Sequence, residues 1–343
     1  MVTIFPCAGQ SSRFPGTRPK YLLTDYSGKI MVERAALGIQ GPKVFVVLQE
    51  HVEQYDSENI LIDTFGDIGS QIIILEKPTN GPAETVYQAL QQLDFQGPFL
   101  IRDCDSFFSF DTQSGNVVYT SKLSNNLDLK GVSQLSYVIC NDQNIVSNIV
   151  EKRVASDDFC VGGYQFENKE SYMKAYEAIK SSGGELFISN IIGYMITQGE
   201  VFMNKEVQDY VNVGVLEAWQ KFNDRPTIFC DIDGVVVYNQ ASVGKNSYNR
   251  SIPVPIKENI EQLHRLMNNG SQIIFVTARS KEFHKVTRKM LDDIGFSDCD
   301  LIMGLHHSKR VLINDFAESN QYPTAIAINL ERNTNKLRSY LKV

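Results

Sequence analysis

The feature that most constrains this chain is a recurring order: short, largely apolar runs alternate with longer amphipathic stretches, and the series occurs twice. Val2–Phe5, Val44–Leu48, Ile72–Leu75, Phe99–Ile101 and Ser136–Ile139 are too short for helices and lack the every-second-residue alternation of half-exposed strands. They predict strands covered on both faces, with Val32–Ile39 and Ala83–Leu93 as helices between them. Asn223-Asp224-Arg225-Pro226 is a polar, proline-containing stretch that suits a boundary, and a second series follows it. There Thr227–Cys230, Gln272–Val276, Leu301–Met303, Val311–Ile313 and Ala325–Ile328 predict strands, and Ile256–Met267 and Lys281–Ile294 predict helices. The expected fold class is α/β, as two Rossmann-like three-layer domains over 1–224 and 225–343. In such sheets ligands sit at the carboxyl ends of the strands.

A length of 343 residues suits two domains, and a hydrophobic share of 43% with 21% charged residues predicts folded structure throughout. The net charge of -7 argues against a general grip on nucleic acid, which needs clustered Lys and Arg. The chain opens directly into an apolar strand without a signal-like basic region, and no run approaches the roughly 18 apolar residues that cross a bilayer. Six cysteines lie scattered without CxxC pairs, which predicts reduced thiols, no catalytic cysteine and a cytoplasmic protein. Membrane insertion is not expected; a homo-oligomer is left open.

After the first strand the chain reads Pro6-Cys7-Ala8-Gly9-Gln10-Ser11-Ser12-Arg13-Phe14, then Arg18-Pro19-Lys20. A small-residue turn behind a buried strand exposes backbone N–H groups, and the nearby Arg and Lys add charge, so the loop can hold a triphosphate. Gly81-Pro82-Ala83-Glu84-Thr85 opens a helix, and Arg102-Asp103-Cys104-Asp105 puts two carboxylates at a strand end. This order resembles the sugar-phosphate nucleotidyltransferases over residues 1–222. The resemblance implies Arg13 and Lys20 as catalytic cations and Ala8, Gly9, Ser11, Ser12, Gly81, Pro82 and Asp103 as nucleotide-binding. It implies Asp105 as the Mg²⁺ ligand and Glu151, Lys152, Gly163 and Glu185 as the acceptor pocket. Two departures stand out: Ser11 replaces a usual glycine, predicting a stiffer loop, and Asn212 stands where many members carry a second metal-binding Asp.

In the second series a strand ends in Asp231-Ile232-Asp233-Gly234, another in Thr277-Ala278-Arg279, and Lys309 precedes Val311-Leu312-Ile313-Asn314-Asp315-Phe316. These pieces resemble the haloacid dehalogenase superfamily in its minimal, uncapped form, since the spacings leave no room for a cap domain. The resemblance implies Asp231 as nucleophile, Asp233 as general acid and base, and Thr277 and Lys309 as phosphate-holding groups. It implies Asp231, Asp233 and Asp315 as Mg²⁺ ligands. His306 and His307 are read as surface residues.

Together these readings predict a bifunctional enzyme. One half transfers a nucleotidyl group from a nucleoside triphosphate to a phosphorylated sugar or polyol, and the other hydrolyses a phosphomonoester, by analogy in surface polysaccharide precursor synthesis. The alternatives are a cytidylyltransferase for a non-sugar phosphate (glycerol, choline or an amino-acid phosphate) and a binding protein whose transferase half has decayed.

Overall fold

The computed structural model of the chain describes residues 1–66, 69–239, 253–315 and 325–341. It divides into two compact units, Met1–Gln220 and Lys221–Val343.

The strands of the first unit are β1 (Val2–Pro6), β2 (Lys43–Leu48), β3 (Gln71–Leu75), β4 (Phe99–Arg102), β5 (Ser106–Ser109), β6 (Asn116–Lys122), β7 (Tyr137–Cys140), β8 (Val146–Val150), β9 (Asp158–Phe166), β10 (Phe202–Glu206) and β11 (Gln208–Asn212). Its helices are α1 (Met31–Ala35), α2 (Gln49–Tyr55), α3 (Ser57–Phe65), α4 (Pro82–Gln92), α5 (Lys169–Ile179) and α6 (Ile188–Thr197), and α7 (Leu216–Asn223) spans the division between units. The main sheet runs β10-β6-β9-β4-β1-β2-β3. Its β4-β1-β2-β3 part is parallel, and β9 enters antiparallel beside β4. Every residue of β2 and β4 is buried, because helices cover a parallel sheet on both faces. Aromatic rings fill the join: Phe99 stacks on Phe166 at 5.2 Å, and Tyr172 of α5 meets both edge-on. The first unit is thus a mixed α/β fold of Rossmann type.

Helix α1 stops earlier than the apolar pattern through Ile39 implies. Gly38 takes φ +77°, a left-handed turn that ends the helix and sends the chain into β2. Helix α4 starts where expected for a chemical reason: Pro82 sits at its first turn, where the missing N–H costs nothing, after Gly81 at φ +116°. Apart from the main sheet, β5 and β11 form a two-stranded antiparallel ribbon that sets Asn212 opposite Ser106.

In the second unit β12 (Thr227–Asp231), β13 (Gln272–Thr277) and β14 (Asp300–Met303) form a parallel three-stranded sheet. Helices α8 (Lys257–Asn268) and α9 (His284–Asp293) supply the crossovers, and α10 (Leu337–Leu341) follows. Ile232, Val236, Leu263, Phe275 and Phe296 form its core. Asn259 is fully buried and satisfied: its amide donates to the Val235 and Thr334 carbonyls at 2.8 Å, and its oxygen accepts the Leu337 N–H.

The strands expected at Val311–Ile313 and Ala325–Ile328 do not form. Val311, Leu312, Ile313 and Ile326 are 74%, 56%, 89% and 82% exposed. An apolar run becomes a strand only where a neighbour takes its N–H and C=O groups, and among the described residues this sheet ends at β12 and β14. Phe316 lies outside the described residues. Among those described, no helix is long and apolar enough to cross a membrane.

Candidate active site

The first site gathers at the carboxyl ends of β1 and β4. Beyond β1, Ala8 is buried and Gly9 faces open space, so the loop backbone there is accessible. Ser11 takes the left-handed conformation, φ +51°, and its Oγ accepts the Lys20 N–H at 3.0 Å. That conformation costs an L residue on the order of 1 kcal/mol, and the hydrogen bond offsets a similar amount. The unusual serine therefore ties the loop to the lysine behind it.

Lys20 Nζ lies 2.6 Å from Asp105 Oδ2, and Arg13 reaches the same oxygen at 3.6 Å. The ribbon adds a further group: Val213 N–H donates to the Asp105 carbonyl at 2.9 Å, and Asn212 Oδ1 accepts the Gly214 N–H at 2.8 Å. A Cβ on Gly214 would lie 3.0 Å from Asp105 Oδ2 and 3.1 Å from Asn212 Oδ1, so a side chain there would crowd the space both oxygens face. Burial would lower the Lys20 pKa, but the Asp105 charge, the neighbouring Cys104 and the hydrogen bond to Asp105 together outweigh it, and the net shift is upward. Burial likewise pushes Asp105 up, yet Lys20 and Arg13 hold it below the usual carboxylate range.

Asp103 differs. Burial, reinforced by the Asp105 charge, pushes it up to about 7 against the pull of Lys20, Arg102 and Arg13. Its N–H donates to the Gly162 carbonyl, and a Cβ on Gly162 would meet Asp103 Oδ2 at 2.4 Å. Gly162, at φ +81°, is therefore required by contact as well as by conformation.

Beneath the carboxylates lies Arg102, only 1% exposed. Its guanidinium donates to Ser106 Oγ at 2.8 Å, the Ser106 carbonyl at 2.7 Å and the Asp103 carbonyl at 3.2 Å, and it lies 3.6 Å over the Phe108 ring. Burial lowers it to about 10. Arg102 thus shapes the turn carrying both aspartates and sets a cation behind them. A Cβ on Gly163 would meet Phe108 at 2.8 Å, so that glycine makes room for the ring under the turn.

Among the residues expected to form the acceptor pocket, Glu151 accepts hydroxyl hydrogen bonds from Ser136 and Ser189. Lys152 pairs with Glu185 at 3.5 Å. The Glu185 segment is bonded to the helix start at Gly81 and Pro82: Leu186 N–H donates to the Asn80 carbonyl, and Ala83 N–H to the Leu186 carbonyl.

The donor set suits Mg²⁺, which takes oxygen ligands from one or two protein groups plus substrate phosphates. Asp105 offers a carboxylate and Asn212 an amide oxygen, both beside Gly214, and the Lys20 ammonium shows that the carboxylate accepts a close cation.

In the second unit, parallel pairing sets Asp231 beside Val276, one residue before Thr277. Asp231 Oδ1 accepts the Ile232 N–H at 3.0 Å and meets Arg310 at 3.3 Å. Asp233 is held by Arg279, whose Nε and Nη2 donate to its two oxygens at 2.8 and 2.7 Å. Arg279 is buried and also donates its backbone N–H to Thr277 Oγ1 and Nη1 to Thr287. Lys309 and Asp315 lie on the exposed stretch after β14, because the strand that would carry them to the sheet end is not formed; the cation that meets Asp231 is Arg310. His306 and His307 are exposed. Among the described residues, no group of three or more His, Cys, Asp and Glu side chains is placed to hold a metal ion.

The contacts of Arg102, Gly214, Arg279 and Arg310 with these aspartates were not anticipated from the sequence. Arg279 carried the one usable signal, its place two residues after the strand-end threonine.

No protein-family model and no curated protein matches this chain. Solved structures do. The nucleoside-diphosphate-sugar pyrophosphorylase from Vibrio cholerae RC9 is 25% identical with a TM-score of 0.55, over 64% of this chain and 98% of its own. The inositol-1-phosphate CTP transferase from T. maritima is 17% identical with a TM-score of 0.51, over 63% of this chain and 90% of its own. Over about 64% of its length the chain therefore has a sugar-nucleotidyltransferase-type fold.

Proposed function

We propose that the first unit transfers a nucleotidyl group from a nucleoside triphosphate to a phosphorylated sugar or polyol, releasing pyrophosphate. The observation that carries this is the meeting of Lys20, Arg13 and Asp105 beside Asn212 at the carboxyl ends of β1 and β4. The likeness to the Vibrio cholerae pyrophosphorylase supports it. An acceptor phosphate oxygen attacks the α-phosphorus in line, and the bond to the β-phosphate oxygen breaks. The acceptor is already anionic, so the work is alignment and neutralisation. Arg13 and Lys20 hold the triphosphate oxygens, Ser11 fixes Lys20, and Lys152 faces the acceptor phosphate. Mg²⁺, held through Asp105 and Asn212, would neutralise further phosphate charge.

For the second unit we propose phosphomonoester hydrolysis through an aspartyl phosphate on Asp231. Arg279 orients Asp233 beside it, and Thr277 holds the phosphoryl group. Joined in one chain, the two activities suit successive steps toward a surface polysaccharide precursor. The test is a matrix of four nucleoside triphosphates against sugar, polyol, choline and amino-acid phosphates, scored separately for pyrophosphate and phosphate. Pyrophosphate release with sugar or polyol phosphates supports the proposal. Release only with the other phosphates points to a non-sugar cytidylyltransferase, and none with any pair removes the transferase reading.

A further inference from the structure

Phe187 has no part in the chemistry above, yet it stands where the acceptor side meets the nucleotide side. Lys152 holds a left-handed backbone, φ +53°, a conformation that strains a residue with a Cβ, and its N–H donates to the Leu135 carbonyl at 3.0 Å. Its ammonium lies 4.0 Å from the centroid of the Phe187 ring and 3.5 Å from Glu185 Oε2. The ring stands on a fixed base, because the Phe187 N–H donates to Asn190 Oδ1 at 2.8 Å at the start of α6. The residues just before it are locked to the nucleotide side. Asn80 Nδ2 donates to the Gly184 carbonyl at 2.6 Å, and a Cβ on Gly81 would lie 2.5 Å from the Leu186 carbonyl oxygen, a distance only glycine permits.

Resting on the transferase reading, we infer that Phe187 is a positioning residue. Its ring holds the Lys152 ammonium toward the phosphate of the acceptor, a phosphomonoester dianion, in fixed relation to the nucleotide. A carboxylate alone would draw the lysine into an ion pair and cancel its charge. An uncharged π-face attracts the ammonium and leaves that charge available to the incoming phosphate. Glu185 and Phe187 together set the lysine, and the acceptor then displaces the carboxylate.

The test is steady-state pyrophosphate release by the full chain as wild type, Phe187→Leu and Phe187→Tyr, varying acceptor and nucleotide separately. Phe187→Leu should raise the acceptor KM about three- to fivefold, the size of an exposed cation–π contact, with kcat and nucleotide KM little changed. Phe187→Tyr, which keeps the ring, should restore it. An unchanged acceptor KM in Phe187→Leu, or a defect that Phe187→Tyr does not restore, overturns the inference and leaves the transferase reading standing. If the wild type releases no pyrophosphate with any pair, calorimetric titration with glucose 1-phosphate decides. Weaker binding in Phe187→Leu than in wild type and Phe187→Tyr keeps the positioning role while the transferase reading falls; equal binding, or none by the wild type, overturns both.

Discussion

Two Asp-x-Asp turns end parallel strands in this chain, Asp103-Cys104-Asp105 after β4 and Asp231-Ile232-Asp233 at the end of β12, and their charges are managed differently. In the first turn the cations are shared unequally. Lys20 and Arg13 both sit on Asp105, while Asp103 is left to burial and pushed up to about 7. In the second turn each aspartate has its own arginine, Arg310 for Asp231 and Arg279 for Asp233. The difference follows from chemistry. On the proposed functions, a triphosphate site would gather cations that can transfer their bonds to phosphate, whereas a site with a nucleophilic carboxylate would keep its neighbour oriented by a rigid fork.

The largest expected effects separate the two turns. Lys20→Ala should lower pyrophosphate release at least about a hundredfold, the scale of losing one charge-stabilising donor, with phosphate release unchanged. Asp231→Asn should do the reverse. A variant that lost both activities while keeping its melting profile would break the comparison. Next in size is the clamp. Arg279→Met leaves Asp233 without its guanidinium partner and should destabilise the second unit by about 3–5 kcal/mol, measured by chemical denaturation. Arg279→Lys should recover only part of this, because an ammonium cannot make the paired contacts.

Smaller effects sharpen the comparison by separating fold from site. Asp25 belongs to neither turn and is bonded to Ser27, to the Lys29 N–H and to Arg34. Burial raises its pKa, but these bonds outweigh it and the net shift is downward. The native state therefore binds this proton less readily than the unfolded chain. Its stabilisation is complete above the unfolded value, near about 3.9, and is lost as pH falls through the lowered folded value. Asp25→Asn should reduce stability at neutral pH by about 1–3 kcal/mol and flatten that acid limb in denaturation followed against pH. Smallest is Ser11. Ser11→Gly loses the bond to Lys20, about 1 kcal/mol, but also sheds the strain of the left-handed backbone, so the two nearly cancel, whereas Ser11→Ala loses the bond and keeps the strain. Ser11→Ala should therefore melt lower than Ser11→Gly.

In the first unit β1, β2 and β4 were legible because their largely apolar runs have no alternative as short helices, and β3 and β7 were read by the same rule, whereas β5, β6, β8, β9, β10 and β11 were not read as strands. The same rule misled at Val311–Ile313, since a run of apolar residues records propensity and not whether a pairing partner exists. The meeting of Lys20 with Asp105 was legible because the sequence marks a carboxylate at a strand end and a lysine behind the first loop. Arg102 was hidden because nothing local marks an arginine for burial; its partners Ser106 and Phe108 become a cage only when β5 folds back over the turn. The Phe187 contact with Lys152 was hidden for the same reason: it joins two segments distant in sequence.

The proposed transfer rests on Asp105 as the shared anchor of Lys20 and Arg13. It is tested most directly by pyrophosphate release from Asp105→Asn beside wild type, at saturating nucleotide and acceptor, with melting followed on the same samples. An intact fold and release at least about a hundredfold slower are expected. Release at the wild-type rate from a folded Asp105→Asn protein would contradict it.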